Sequence, residues 1–397
     1  MRIGIACLLC MVALRANAQD APTPLNAADP ADVAIGLEPT VVQSIPRFYG
    51  SAEYLLWWSK PVCLKPSTLT VGNPGDAAPG AFGQPGTQVI QGGSKFEFSA
   101  MSGGRATIGY WLSDDDSLAF EATGFLLEQG RASVTFNSNS GSGSPATYIP
   151  YRTPSEQAQA LPFSVPGQVE GSSEAVGRTW LWGTEANLVA GITVERTKMN
   201  VRGDFLLGFR YLNLRDKVDV ANRLWLLNDP SQFAYGAANF TTHTQFWGGQ
   251  IGSRFTFERG NWAFMVGSKV AIGESHQVRE ITGSPILATS GNNGLLPGPV
   301  LALSSNIGRQ TSSRIAVVPE AQVKLRYRFS EAIALSVGYN ALYWNRVLCP
   351  GDQMDGHLNP TQLPGRGPAT GPGAPAPQFV QTDYFAQGFD FGIEWRY

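Results

Sequence analysis

Charge is scarce in this chain. Asp, Glu, Lys and Arg make up 15% of its 397 residues, against about a quarter in ordinary soluble domains. The formal net charge is −2, so nothing in the balance invites nucleic acid as a partner. Histidine is rarer still, with only His243, His276 and His357. None stands in a metal-ligand spacing such as H-x3-H, and the one C-x-x-C, Cys7 to Cys10, lies in the apolar N-terminal stretch, so no metal or cofactor is expected. A G-x-S-x-G nucleophile elbow is missing. "GDQMD", with Asp352 and Asp355, lacks the ligand series of a calcium loop. Long apolar runs are absent as well. Outside the N-terminus none approaches the ~20 residues of a membrane helix. What the chain does have is 45 Gly, 10 Trp and 21 Phe at a mean hydropathy of −0.10.

The N-terminus reads as a secretory signal. Arg2 gives a positive start, Ile3 to Leu14 an apolar stretch, and Ala16-Asn17-Ala18 a cleavage site before Gln19. Residues 1–18 therefore stand outside the fold. Losing Arg2 and Arg15 takes the net charge from −2 to −4. Cys7 and Cys10 leave with the leader, so Cys63 and Cys349 remain. Residues 19–46, rich in Ala, Pro and Asp, read as a flexible lead-in. The folded part is expected over 47–397.

From there the pattern has period two. In "PEAQVKLRYRF" (319–329), one parity holds Ala321, Val323, Leu325, Tyr327 and Phe329. The other holds Glu320, Gln322, Lys324, Arg326 and Arg328. Such alternation marks a strand with one apolar and one polar face. Phe205, Leu207, Phe209 and Tyr211 oppose Arg202, Asp204 and Arg210 in the same way, and Trp262, Phe264 and Val266 share a parity opposite Lys269. Strands are expected near 48–58, 101–112, 117–136, 177–194, 200–219, 241–258, 260–280, 311–329, 331–347 and 384–397.

Short and long links alternate between them. "SDDD", "ERTKM", "ERGN" and "FSEA" are tight, whereas 59–100, 137–176, 220–240, 281–310 and 348–383 are long. Antiparallel strands then place every tight turn on one side and every long loop on the other. That asymmetry, an even strand number and an apolar face ending in aromatics describe an all-β, closed antiparallel transmembrane β-barrel of about ten strands. Part of 59–100 or 137–176 pairing as a further hairpin would make twelve. A sheet that spans lipid must close, because an open edge leaves backbone groups unpaired in hydrocarbon. Trp57 and Trp58, in "SAEYLLWWSK", are both assigned to the aromatic belt at the interface. A soluble β-sandwich or propeller is the competing reading.

Parity also lists the lumen. It holds Glu53, Glu121, Glu185, Asp204, Glu320, Asp390 and Glu394 against Arg105, Arg202, Arg210, Arg254, Lys269, Lys324, Arg326, Arg328 and Arg396. Opposed signs suggest cross-lumen pairs. Ten strands make a narrow barrel, whereas open aqueous channels belong to about sixteen or more. His243 shares the lipid-facing parity near the loop end of its strand and reads as a rim residue. A lipase-like outer wall would need a Ser beside it, and the chain is not expected to be an enzyme.

The last strand, "YFAQGFDFGIEWRY", carries Phe389, Phe391, Ile393, Trp395 and the terminal Tyr397 on one face. This resembles the C-terminal signal that the barrel-assembly machinery of bacterial outer membranes recognises. Two stretches carry a family resemblance. "RFYGSAEYLLWWSK" (47–60) looks like the first strand of the β-barrel porin family seven, found mainly in planctomycete bacteria. "YWNRVLCPGDQMDGHLNP" (343–360) resembles that family's late motif, in which N-x-V leads into P-G-D-Q; it is carried by Asn345, Val347, Pro350, Gly351, Asp352, Gln353, Asp355 and Asn359. The resemblance implies an outer-membrane barrel, surrounded by outer-membrane lipid, and a porin by name.

Two functions follow as expectations. One is passive passage of small solutes. The other is a closed structural or surface-binding barrel whose long loops contact a ligand. No solute or ligand is named by the sequence. With the first strand beside the last, Cys63 and Cys349 fall at the bases of the first and last long loops. A Cys63–Cys349 disulfide across the closure seam is expected, with two free thiols as the alternative.

Overall fold

The computed structural model describes residues 47–138, 141, 143–194, 199–288, 300–363 and 368–397. The leader, the lead-in and most of the "ERTKM" turn lie outside the described residues. The strands, in chain order, begin with β1 (Phe48–Ser59), β2 (Val62–Val71), β3 (Gln88–Phe96), β4 (Met101–Trp111) and β5 (Leu118–Leu127). Next come β6 (Gly130–Asn137), β7 (Thr147–Arg152), β8 (Ala158–Ser164), β9 (Val169–Val194) and β10 (Asn200–Leu226). The chain ends with β11 (Asp229–Arg259), β12 (Trp262–Ala288), β13 (Gly308–Arg328), β14 (Ile333–Leu348) and β15 (Gln381–Arg396).

Ten of these form a closed antiparallel ring: β1, β4, β5, β9, β10, β11, β12, β13, β14, β15 and back to β1. The seam is closed by the β1–β15 register, in which Tyr54 stands opposite Phe391 and Trp57 opposite Gly388. Every expected strand is present, with three differences. The segment 117–136 is two strands, because β6 leaves the ring and pairs with β9 beyond the end of β5. The segment 220–240 is no loop: β10 and β11 run on as a paired hairpin to Leu226 and Asp229. The loops 59–100 and 137–176 do pair, but as a separate sheet in the order β3-β2-β7-β8, so the ring stays at ten.

The outward parity is apolar where sequence placed it. Phe205, Leu207, Phe209, Ile251, Val323 and Leu335 are exposed, and so is the C-terminal row Phe389, Phe391, Ile393, Trp395 and Tyr397. On β10 the outward row stays apolar or aromatic up to Tyr211 and then reads Asn213, Arg215, Lys217 and Asp219. About 9–11 residues suffice for a tilted strand to cross hydrocarbon. The 27 residues of β10 and 31 of β11 therefore continue well past the membrane on the loop side.

Trp57 corrects the sequence reading. Successive strand residues face opposite sides, so Trp58 points out while Trp57 points into the lumen, fully buried. There its Nε1 donates to Asp390 Oδ1 at 2.9 Å.

Candidate functional site

The inward face has two unlike halves. Toward the tight turns it is charged, and it encloses a cavity of about 530 Å³ that reaches Ser330, Glu331 and Ala332 in the β13–β14 turn. Of the sixteen charges assigned to the lumen from parity, all but Asp390 line this cavity. Asp390 accepts from Arg105 Nη1 at 3.4 Å, and the same nitrogen lies 3.1 Å from Glu53.

These charges are organised as bridges. Arg210 Nη2 joins Glu185, at 2.5 Å, to Glu320. Lys269 binds Glu185 at 2.6 Å, and Asn340 donates to Glu320 at 2.7 Å. Lys324 joins Glu53 at 2.6 Å to Glu394 at 3.5 Å. Arg254 joins Asp204 at 3.0 Å to Glu121 at 3.3 Å. Arg202 also holds Asp204, at 2.8 Å, and lies over the Trp111 ring. Near the mouth Arg326 binds Glu258 at 2.5 Å and Glu394 at 3.3 Å, and Arg328 approaches Glu258 at 3.7 Å. Arg396 has no ion-pair partner among the described residues. Glu258 escaped the sequence reading because it opens the "ERGN" turn, although it shares the parity of Arg254. A buried ion pair is strong only when its remaining valences are filled, and here the amides of Gln250, Gln322 and Asn340 help fill them.

Toward the long loops the inward face turns apolar. Leu55, Trp57, Leu181, Leu212, Leu214, Phe246, Leu342, Trp344 and Tyr384 come from six ring strands and pack into one buried cluster. Phe246 and Trp344 meet edge to face at 6.0 Å. Above it a second cluster joins barrel residues Val218 and Phe240 to the loop residues Val62, Leu64, Phe96, Leu301 and Met354. The loops thus form a cap whose underside continues the core of the barrel.

The cap holds both cysteines. Cys63 lies on β2 and Cys349 directly follows β14. Their segments touch so closely that a Cβ on Gly351 would sit 1.7 Å from the Cys63 carbonyl oxygen. The proximity expected from strand order is there, but the bridge is not: both are free thiols. Burial pushes the Cys349 thiol up to about 12, and a thiol that stays protonated is a poor partner for oxidation.

Two further polar clusters were not singled out from sequence. On the cap, His357 Nδ1 meets Asp355 Oδ1 at 2.6 Å and its Nε2 meets Glu156 Oε1 at 3.0 Å. These contacts tie the β7–β8 turn to the last loop. The Asp355 hydrogen bond, helped by Glu156, raises the imidazole above its ordinary value. A raised pKa gives stability that is complete below about 6.5 and is lost as pH rises through the raised value. With the ring partly exposed, the tie is worth under about 1 kcal/mol. Limited proteolysis within 153–157 is expected to speed up at alkaline pH, and His357→Gln should remove that acceleration.

On the outer wall His243 has no serine beside it; its cross-strand neighbours are Arg215 and Val278. His276 Nδ1 does lie 3.1 Å from Ser313 Oγ. No third side chain orients that ring by hydrogen bond among the described residues, so the pair lacks the constellation of a hydrolase.

Among solved structures the chain is similar to the outer membrane protease OmpT of Escherichia coli. That match has 8% identity and a TM-score of 0.41, covering 89% of this chain and 98% of that one. It is also similar to the translocator domain of the autotransporter NalP of Neisseria meningitidis, at 7% identity and a TM-score of 0.23, covering 88% of each chain. A Pseudomonas aeruginosa FadL homologue matches at 8% identity and a TM-score of 0.22, covering 89% of this chain and 90% of that one. No curated protein matches. Over residues 49–397, nearly all of the ring and its cap, the chain matches a family described as "Putative beta barrel porin-7 (BBP7)", and it belongs to that family of bacterial outer-membrane barrels.

Proposed function

We propose that this protein is a closed outer-membrane barrel that carries a folded loop cap on the cell surface, and that it is neither an open pore nor an enzyme. The observation that carries this reading is the apolar cluster across the loop half of the lumen. Leu55, Trp57, Phe246 and Trp344 are 0% exposed, and a dry, close-packed layer leaves no path for a hydrated solute. The charged cavity on the turn side is a vestibule that ends at this layer, and its charges serve one another. The tight turns face the periplasm and the cap faces outward, as in other such barrels. The cap sheet is the surface on which a ligand is met. Passive passage, the reading the family name suggests, would need the apolar layer to part. Swelling of protein-loaded liposomes in a small sugar tests this. The closed reading expects the rate of protein-free vesicles, and faster swelling that scales with protein content would overturn it.

The outward C-terminal row is proposed as the handle for the barrel-assembly machinery. Deleting Tyr397 is expected to lower the amount of barrel in the outer membrane while export to the periplasm continues, as read by fractionation and immunoblotting. An unchanged outer-membrane level would remove that role.

A further inference from the structure

Asp216 is the exception among the buried carboxylates. Every other carboxylate that is nine-tenths or more buried lies within ion-pair distance of a cationic side chain or His357. Asp216 is only 5% exposed, has no such partner among the described residues, and its Oδ1 has no hydrogen bond to them. Two buried hydroxyls nearby are likewise unpartnered: Thr179 Oγ1, directly across on β9, and the Tyr384 hydroxyl from β15. Buried polar atoms are rarely left so, and here several converge on one spot.

The spot is placed at a joint. The inward neighbours of Asp216 on β10 are Leu214, in the lumen cluster, and Val218, in the cluster shared with the cap. It lies five residues beyond Tyr211, where the lipid-facing row has already ended. The ionisable groups that face it are Tyr384 and, from the base of the cap, Cys349. On β11 its cross-strand neighbour is the uncharged Thr242. Arg215 and Lys217 belong to the outward parity.

We propose that Asp216 is a proton-operated latch between the barrel and its loop cap: the protonated carboxyl holds the cap docked, and loss of the proton to bulk water loosens it. A neutral carboxyl offers one O–H donor and acceptor oxygens, which match the Thr179 and Tyr384 hydroxyls. A carboxylate in the same place is a buried charge without a counter-ion, and it is relieved only by admitting water. Burial pushes this group up to about 7. Its value is thus raised in the docked state and ordinary once solvated. The ratio of loosened to docked cap therefore climbs by up to about tenfold per pH unit between about 4 and 7 and levels off above.

Hydrogen–deuterium exchange of the mature barrel in lipid nanodiscs tests this between about pH 4.5 and 6.5, below the window in which the His357 tie is lost. The reporters are the amides of β2 and of the turn Pro350–Gln353, corrected for intrinsic exchange rates. Wild-type protection is expected to fall by close to tenfold per pH unit. Asp216→Asn should stay flat at the docked level, and Asp219→Asn should keep the wild-type slope. Flat wild-type protection overturns the latch, whether or not the variants fold. So does a slope that survives in Asp216→Asn, or protection that follows sodium concentration at fixed pH, which would make a metal cation the missing partner.

Discussion

Arg210→Ala is expected to destabilise the barrel by about 3–5 kcal/mol, because it leaves buried carboxylates without their shared cation. Arg210 is 3% exposed and makes the close contact to both Glu185 and Glu320. After its loss only Lys269 remains, at 2.6 Å from Glu185 and 3.9 Å from Glu320. Replacing the whole cluster, with Arg210→Met, Lys269→Met, Glu185→Gln and Glu320→Gln, should recover most of the loss, since a neutral filling avoids both the pairing and its desolvation penalty. Urea unfolding of the refolded barrel in lipid vesicles measures both. A single mutant within ~0.5 kcal/mol of wild type, the usual range for an uninvolved surface site, would mean that Arg210 is solvated and the network is not a unit.

The second large effect lies on the other face. Leu207→Arg should cost about 2–4 kcal/mol, the penalty for a cation near the bilayer midplane. Leu207 is 62% exposed and stands between Leu188 on β9 and Ile251 on β11, so its exposure is to lipid and not to water. Val323→Arg, three strands further round the ring, should behave alike. Both are read as folding yield and unfolding midpoint in vesicles of defined thickness. Full yield with an unchanged midpoint in both variants would contradict the assignment of the outer face.

The outer face was legible because lipid imposes a strong rule. Outward positions in the span are apolar save for small hydroxyls such as Thr184, Ser253 and Ser268, and a period of two survives even where Gly and Ala dilute it. The charged half of the lumen was legible by the same parity, read in reverse. The apolar half was not. From Tyr54 to Trp58 both parities are apolar, and so are Leu206, Leu207, Leu212 and Leu214 on β10. Within such a run composition is silent, but Glu53, assigned to the lumen, shares its parity with Trp57, so the inward turn of Trp57 could have been read from sequence. The register then sends it to Asp390. The cap was hidden for another reason. β2, β3, β7 and β8 are interrupted by Pro66, Gly92, Gly93, Pro150 and Pro162, which read as loop residues, and their pairing is set by the barrel beneath them. Asp216 was passed over because it sits amid Arg215, Lys217 and Asp219, a stretch that reads as solvated. The strand continues instead, and parity turns that one carboxylate inward. The Cys63–Cys349 prediction had the neighbourhood right from strand order alone. Sequence could not show that one thiol would be buried deeply enough to stay protonated.

The central claim is that an apolar core closes the lumen. Conductance of the purified, folded protein in planar bilayers tests it most directly, with insertion verified by protease protection of the same preparation. The account predicts inserted protein with no discrete current steps at either polarity. Reproducible unitary steps from the wild-type protein would mean that the layer around Trp57, Phe246 and Trp344 parts to admit ions, and would contradict it.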